Sequence, residues 1–268
     1  MKIAISNLAW DMKRDDEVLS ILKENGVHGL EIAPKKIVPN LWDDGLEPVQ
    51  AYLEKCKKHD IEVVAFQAIL FGEPDLKVFQ NAENRHKTTE YLKKMIELAD
   101  KFGAKNLVFG SPKNRHRFEE APDTAFATAT DFFRELGDFA AENNTNMCIE
   151  PNPKEYFCDF INTSMEGAEL VRAANSSGFK LHLDSGAMHM NGEDYEKVIS
   201  ENIDIISHFH ISNPQLNGFQ NTPVDHERLG KALKANNYQG WCSIEMLPNE
   251  DEIEGVKLAL ETALKYYK

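Results

Sequence analysis

The chain has 268 residues, 42% hydrophobic and 28% charged, with a formal net charge of -14. That length and composition describe an ordinary globular protein that needs no staples to bury a core, and suit one large α/β barrel or two small domains. So acidic a surface repels phosphate backbones, which argues against duplex DNA or RNA as a partner. The opening MKIAISNLAW turns polar too soon for a signal peptide, and no apolar run approaches a membrane span, so a cytoplasmic protein is expected. Cys56, Cys148, Cys158 and Cys242 form no CxxC pair and no zinc-type spacing, which fits reduced thiols.

In chain order, short β-rich runs alternate with amphipathic helical ones. The expected strands are Ile3–Ser6, Gly29–Ile32, Glu62–Gln67, Asn106–Phe109, Asn146–Glu150, Lys180–Asp184, Ile206–Ile211 and Cys242–Met246. The helix after the third strand carries Leu92, Met95, Ile96, Ala99 and Phe102 at spacings of three and four; the next carries Phe126, Phe133, Leu136 and Ala140. Asp225 stands where an N-cap is expected, and Gly26, Gly103 and Gly178 read as helix stops. No linker or low-complexity tract divides the chain. Eight strand–helix units over residues 1–268 predict a single-domain (β/α)8 TIM barrel of the α/β class. An open doubly wound sheet is the alternative, but SNLAW follows the first strand where a glycine-rich phosphate loop is expected.

In such a barrel the active site is built at the C-terminal strand ends. The last four strands each end in a metal-type side chain: Glu150 in CIEPNP, Asp184 in LHLDSG, His210 in HFHIS and Glu245 in CSIEML. Alone, each is more simply a salt-bridged surface group or a hydrogen-bonded core histidine. Together, three carboxylates beside one imidazole would repel strongly unless a cation lay between them. One nitrogen and three carboxylates suit one divalent ion such as Mn²⁺, Mg²⁺ or Co²⁺, with Zn²⁺ as a further option. Two residues back on the same faces stand Cys148, His182, His208 and Ser243, with His182 and His208 expected as support beneath the ligands rather than as ligands.

The motifs IEPNP (149–153), LHLDSGAM (181–188), HFHIS (208–212), DHERL (225–229) and WCSIEM (241–246) together resemble the sugar phosphate isomerase/epimerase group of the xylose isomerase-like TIM-barrel superfamily, over essentially the whole length. The resemblance implies that Glu150, Asp184, His210 and Glu245 hold the metal. It also implies that Glu150 and Glu245 are the acid/base pair of an isomerase or epimerase working through an enediolate. Two positions depart from the ketohexose epimerases of that group: the place of their histidine after the sixth-strand Asp is taken by Ala187, with His189 the nearest histidine, and SNPQLNGF brings no arginine before Arg228. A metal-dependent dehydratase or lyase on an inosose or keto sugar is therefore an alternative. An endonuclease IV-like repair enzyme lacks its further histidines here, and a non-catalytic sugar-binding barrel has no need of paired carboxylates.

Asn152, Trp10, Gln67 and His189 are candidates for contact with a small sugar or keto-sugar substrate. Asn152 reads equally well as a turn residue, and Trp10 as ordinary packing. Glu31 and Gln67 are polar groups in apolar strands, and SPKNRHR (111–117) is a basic island that reads most simply as a solvated loop. A homo-oligomer is compatible with all of this; the sequence does not fix one.

Overall fold

Runs rich in Val, Ile, Phe and Ala become eight short strands that are buried almost throughout, as expected of parallel strands covered on both faces. They are β1 (Lys2–Ser6), β2 (Gly29–Ile32), β3 (Glu62–Phe66), β4 (Asn106–Phe109), β5 (Asn146–Ile149), β6 (Phe179–Asp184), β7 (Ile206–Ser212) and β8 (Trp241–Glu245). The computed structural model describes residues 1–40, 45 and 47–268. The strands hydrogen-bond in chain order as a closed parallel barrel, with helices in between, so the expected fold class holds. Boundaries differ from the expected ones by about one residue. Gln67, Glu150 and Met246 fall just past their strands, and Ser212 is drawn into β7.

By packing, the chain divides into two compact units. The first comprises Met1–Ala65, Asp184–Ile203 and His208–Lys268; the second comprises Phe66–Leu183 and Asp204–Ser207. In the first, β1 lies between β2 and β8, and β8 also pairs with β7. Ile5, Leu19, Leu22, Leu30 and Phe209 are sealed in its core, and the Phe209 ring lies 5.8 Å from that of Tyr267. Asp225 caps its helix as expected, accepting from the Arg228 N–H at 2.9 Å.

In the second unit β5 pairs with β4 and β6, and Phe133 ties helix to sheet, 5.1 Å from Phe109 and stacked 4.7 Å from Phe179. The helical spacing read from Leu92, Met95, Ile96, Ala99 and Phe102 is a buried stripe, and that helix ends at Gly103 with φ 77°. The stop expected at Gly178 comes earlier. Asn175, at φ 49°, takes the left-handed cap after Ala174, a conformation asparagine tolerates better than most residues. All four cysteines are buried free thiols: Cys56 and Cys242 in the first unit, Cys148 and Cys158 in the second. Among the described residues, no helix is long and apolar enough to cross a membrane.

Candidate active site

Asp184 ends β6 and starts a helix. Its Oδ1 accepts from the Ala187 N–H at 2.7 Å, capping Ser185–Met190, while its Oδ2 accepts from the Ser212 hydroxyl at 2.6 Å. Ser212 Oγ in turn accepts from the Gly186 N–H at 3.0 Å. A Cβ at Gly186 would lie 2.9 Å from Ser212 Oγ and 2.8 Å from the Asn213 carbonyl carbon, so only glycine lets this turn close on β7.

His210 stands between acids on both sides. Its Nδ1 is 3.0 Å from Glu245 Oε2 and 3.8 Å from Asp184 Oδ2; its Nε2 is 3.0 Å from Glu31 Oε2. Burial would by itself lower the His210 pKa, but the charges of Glu31 and Glu245 overcome it and hold the imidazole well above its ordinary range. For Glu31 burial pulls upward, and the charges of His210 and His208 bring it well below the usual carboxylate value. Asp184 is pushed up to about 6, first by burial and then by the charge of Glu245. Asp184, His210 and Glu245 offer ligand atoms within 4.8 Å of one another, a buried group able to hold a metal ion. A cation there would relieve the cost of keeping Asp184 and Glu245 both charged.

In the second unit, Glu150 follows β5 directly, and its N–H donates to the Phe109 carbonyl at 3.1 Å. Its carboxylate lies 3.9 Å from His182 Nε2, and His182 is fully buried. A Cβ on Gly110 would fall 2.1 Å from Glu150 Oε2, so the glycine leaves the space the carboxylate occupies. Arg115 is completely buried and reaches back under this strand end. It donates from Nη2 to the Glu150 carbonyl at 2.8 Å and from Nη1 to the Phe109 carbonyl at 3.3 Å. The expectation of a solvated basic loop therefore fails at Arg115. Arg117 is also tied down, donating from Nε to the Asp159 carbonyl at 2.7 Å.

Asn152 is buried and donates from Nδ2 to the Glu150 carbonyl at 3.0 Å, so its side chain braces the turn. Trp10 is sealed in the first unit and donates its indole N–H to Asp15 Oδ1 at 2.9 Å, presenting no surface to a ligand. Gln67 is buried just beyond β3. His189 is half-buried in the helix that Asp184 caps.

Two features escaped the sequence. Ser212 looked like the start of a loop, yet it holds Asp184. The pairing at β7 was not read either: the register sets His210 beside Ser243 and Ser212 beside Glu245, while His210 Nδ1 still reaches Glu245 and Asp184. His208 and His210 do share a face, with ring centres 5.5 Å apart. Glu31 carried a visible signal, a carboxylate inside the apolar strand GLEI, but nothing in the sequence named its partner.

Residues 19–265 match the family described as xylose isomerase-like TIM barrel. A relative from Escherichia coli (strain K12), 3-dehydro-D-guloside 4-epimerase, is 22% identical over 260 residues, covering 91% of this chain and 92% of that protein. Among solved structures, D-psicose 3-epimerase with D-tagatose from Clostridium cellulolyticum H10 superposes with a TM-score of 0.84 at 13% identity, covering 100% of both chains. The IolI protein with a bound zinc atom gives 0.78 at 20% identity, covering 100% of this chain and 98% of the other.

Proposed function

Because the chain belongs to the xylose isomerase-like TIM-barrel family, we propose that it is a divalent-metal-dependent sugar epimerase or isomerase. The observation that carries this reading is the buried Asp184–His210–Glu245 group, with Glu31 behind the imidazole. Glu150, which stands at the end of β5 as Asp184 and Glu245 stand at the ends of β6 and β8, is proposed as the fourth ligand. Mn²⁺, Mg²⁺ or Co²⁺ suit a set dominated by carboxylates, and Zn²⁺ is supported by the zinc-bound IolI neighbour. When bound, the ion supplies Lewis acidity that lowers the cost of charge building on the substrate's carbonyl oxygen.

The chain's own residues do the rest. Glu245 removes the proton from the carbon beside the carbonyl, leaving an enediolate, and Glu150 returns a proton to complete epimerisation. Asp184 is held by Ser212 and by its own helix, so it stays in place as the others exchange protons. The E. coli relative, named for a keto-glycoside, supports a keto sugar joined to an aglycone over a free ketohexose. So does Ala187, where ketohexose epimerases carry histidine. On this reading the chain works as one domain in the cytoplasm on a small molecule, with reduced thiols and no nucleic-acid partner.

The test follows deuterium. With Mn²⁺ present in D2O, wild-type protein should wash deuterium into the carbon next to the carbonyl of a 3-keto glycoside, and Glu245→Gln should slow this about 10²–10⁴-fold. Exchange by Glu245→Gln at the wild-type rate removes the base role. Three tightly bound zinc ions per chain would favour the DNA-repair reading instead.

A further inference from the structure

Glu31 has no exposure at all and sits in a four-residue strand whose other members are Gly29, Leu30 and Ile32. A carboxylate in such a place persists only when its charge is met. Two histidines meet it, both from β7. His210 Nε2 lies 3.1 Å from Oε1 and 3.0 Å from Oε2, and His208 Nε2 lies 3.3 Å from Oε1. The two rings stand nearly perpendicular, at 77°, so one carboxylate is gripped from two directions.

This arrangement decides which atom of His210 is available. An ionised carboxylate only accepts hydrogen bonds, so the imidazole nitrogen facing Glu31 must carry the hydrogen. That nitrogen is Nε2. The other, Nδ1, is turned toward Glu245 at 3.0 Å and Asp184 at 3.8 Å. We infer that Glu31 is the positioning residue of the metal site: it keeps the Nε2 hydrogen of His210, so that with a cation among Asp184 and Glu245 it is Nδ1 that gives up its proton and is presented to the cation, and His208 braces Glu31 in that task. Glu31 is thus not itself a ligand, since its oxygens are engaged by the two rings. The inference rests on the metal-dependent reading above and adds the choice of ligand atom and the residue that makes it.

A carboxylate behind a metal-bound imidazole locks the ring's orientation and makes its ligating nitrogen more basic, and losing such a partner typically costs 10–100-fold in metal affinity. The first measurement needs no variant. In wild-type protein labelled with ¹⁵N-histidine and loaded with Zn²⁺, His210 should show a metal-bound Nδ1 and a protonated, strongly deshielded Nε2. Coordination through Nε2 overturns the inference. The second compares Glu31→Gln with wild type by Mn²⁺ titration and by the same spectrum. The Mn²⁺ dissociation constant should rise 10–100-fold, with the Nε2 proton moving upfield.

A purely structural role for Glu31 would lower the melting temperature yet leave affinity and the Nε2 resonance where they were, and that result also overturns the inference. If Glu31→Gln does not fold, the wild-type spectrum still decides which nitrogen binds. Should wild-type protein take up neither Zn²⁺ nor Mn²⁺, the metal-dependent reading falls together with this one. Binding through Nδ1 that is indifferent to Glu31 removes only the role of Glu31.

Discussion

The two units hold their acidic strand ends by different means. In the first, Asp184, His210 and Glu245 are fixed by side chains, from Ser212 on one flank and Glu31 on another. In the second, Glu150 is fixed through its backbone, with the guanidinium of Arg115 drawn under the carbonyls of Phe109 and Glu150. The difference is one of pH and of tolerance. A network of carboxylates and imidazoles changes charge as pH falls, whereas a guanidinium bonded to carbonyls does not. Conversely, Arg115 bonds both carbonyls with one side chain, so its loss is felt at both at once.

Replacing Arg115 should therefore produce the largest effect. Arg115→Met removes charge-assisted hydrogen bonds to the Phe109 and Glu150 carbonyls and should cost about 4 kcal/mol of stability, at about 1.5–3 kcal/mol for each bond to a charged group. Urea unfolding measures this, and a loss below about 1 kcal/mol would deny the clamp.

Next comes a group that should give the first unit a slope on the acid side. His226, buried and 2.8 Å from the Tyr267 hydroxyl, is lowered to about 4 by burial. Its folded pKa lies below its unfolded value of 6.5, so as pH falls the unfolded chain takes the proton first. The stability it protects is complete above 6.5 and fades toward 4, by about 3 kcal/mol at most, taking 1.36 kcal/mol per unit. Between those limits the stability of wild type relative to His226→Gln should fall as pH is lowered, whatever slope Asp184 and other groups give both curves; parallel curves refute it.

Smaller again is Gly110→Ala. Its methyl group would press on Glu150 Oε2, and a carboxylate shifted by about 1 Å can lose about 10²-fold in turnover. Steady-state kinetics with unchanged circular dichroism is the expected pattern, and wild-type turnover would show that the position of Glu150 matters little. Least affected should be Asp204→Asn. This removes the exposed pair with Arg172, whose nitrogens lie 3.0 Å from both Asp204 oxygens, and exposed pairs contribute about 0.5 kcal/mol. A melting shift of more than a few degrees would mean that the pair does more than its exposure allows.

What the sequence showed and what it hid divide along physical lines. Helix faces were legible because burial imposes a period of 3.6, and strands because they are short β-rich apolar runs buried on both faces, which is why the strand ends bearing Glu150, Asp184 and Glu245 were located within one residue. The pairing of His210 with Ser243 was not legible, since a strand's own pattern says nothing about its stagger against its neighbour. Arg115 was hidden because loops carry no period: in NRHR a buried guanidinium and an exposed one read alike. Glu31 could be seen as an anomaly and not as an answer, because its two partners lie more than 170 positions further along the chain.

The four buried thiols give the protein a clock. A disulfide reagent cannot reach Cys56, Cys242, Cys148 or Cys158 while their surroundings stay closed, so each modification records an opening event. Two of the four lie in each unit, and mass spectrometry of peptides can read them separately. Labelling rates would then show whether the two units breathe together or one at a time, and whether an added metal ion slows one pair of thiols more than the other.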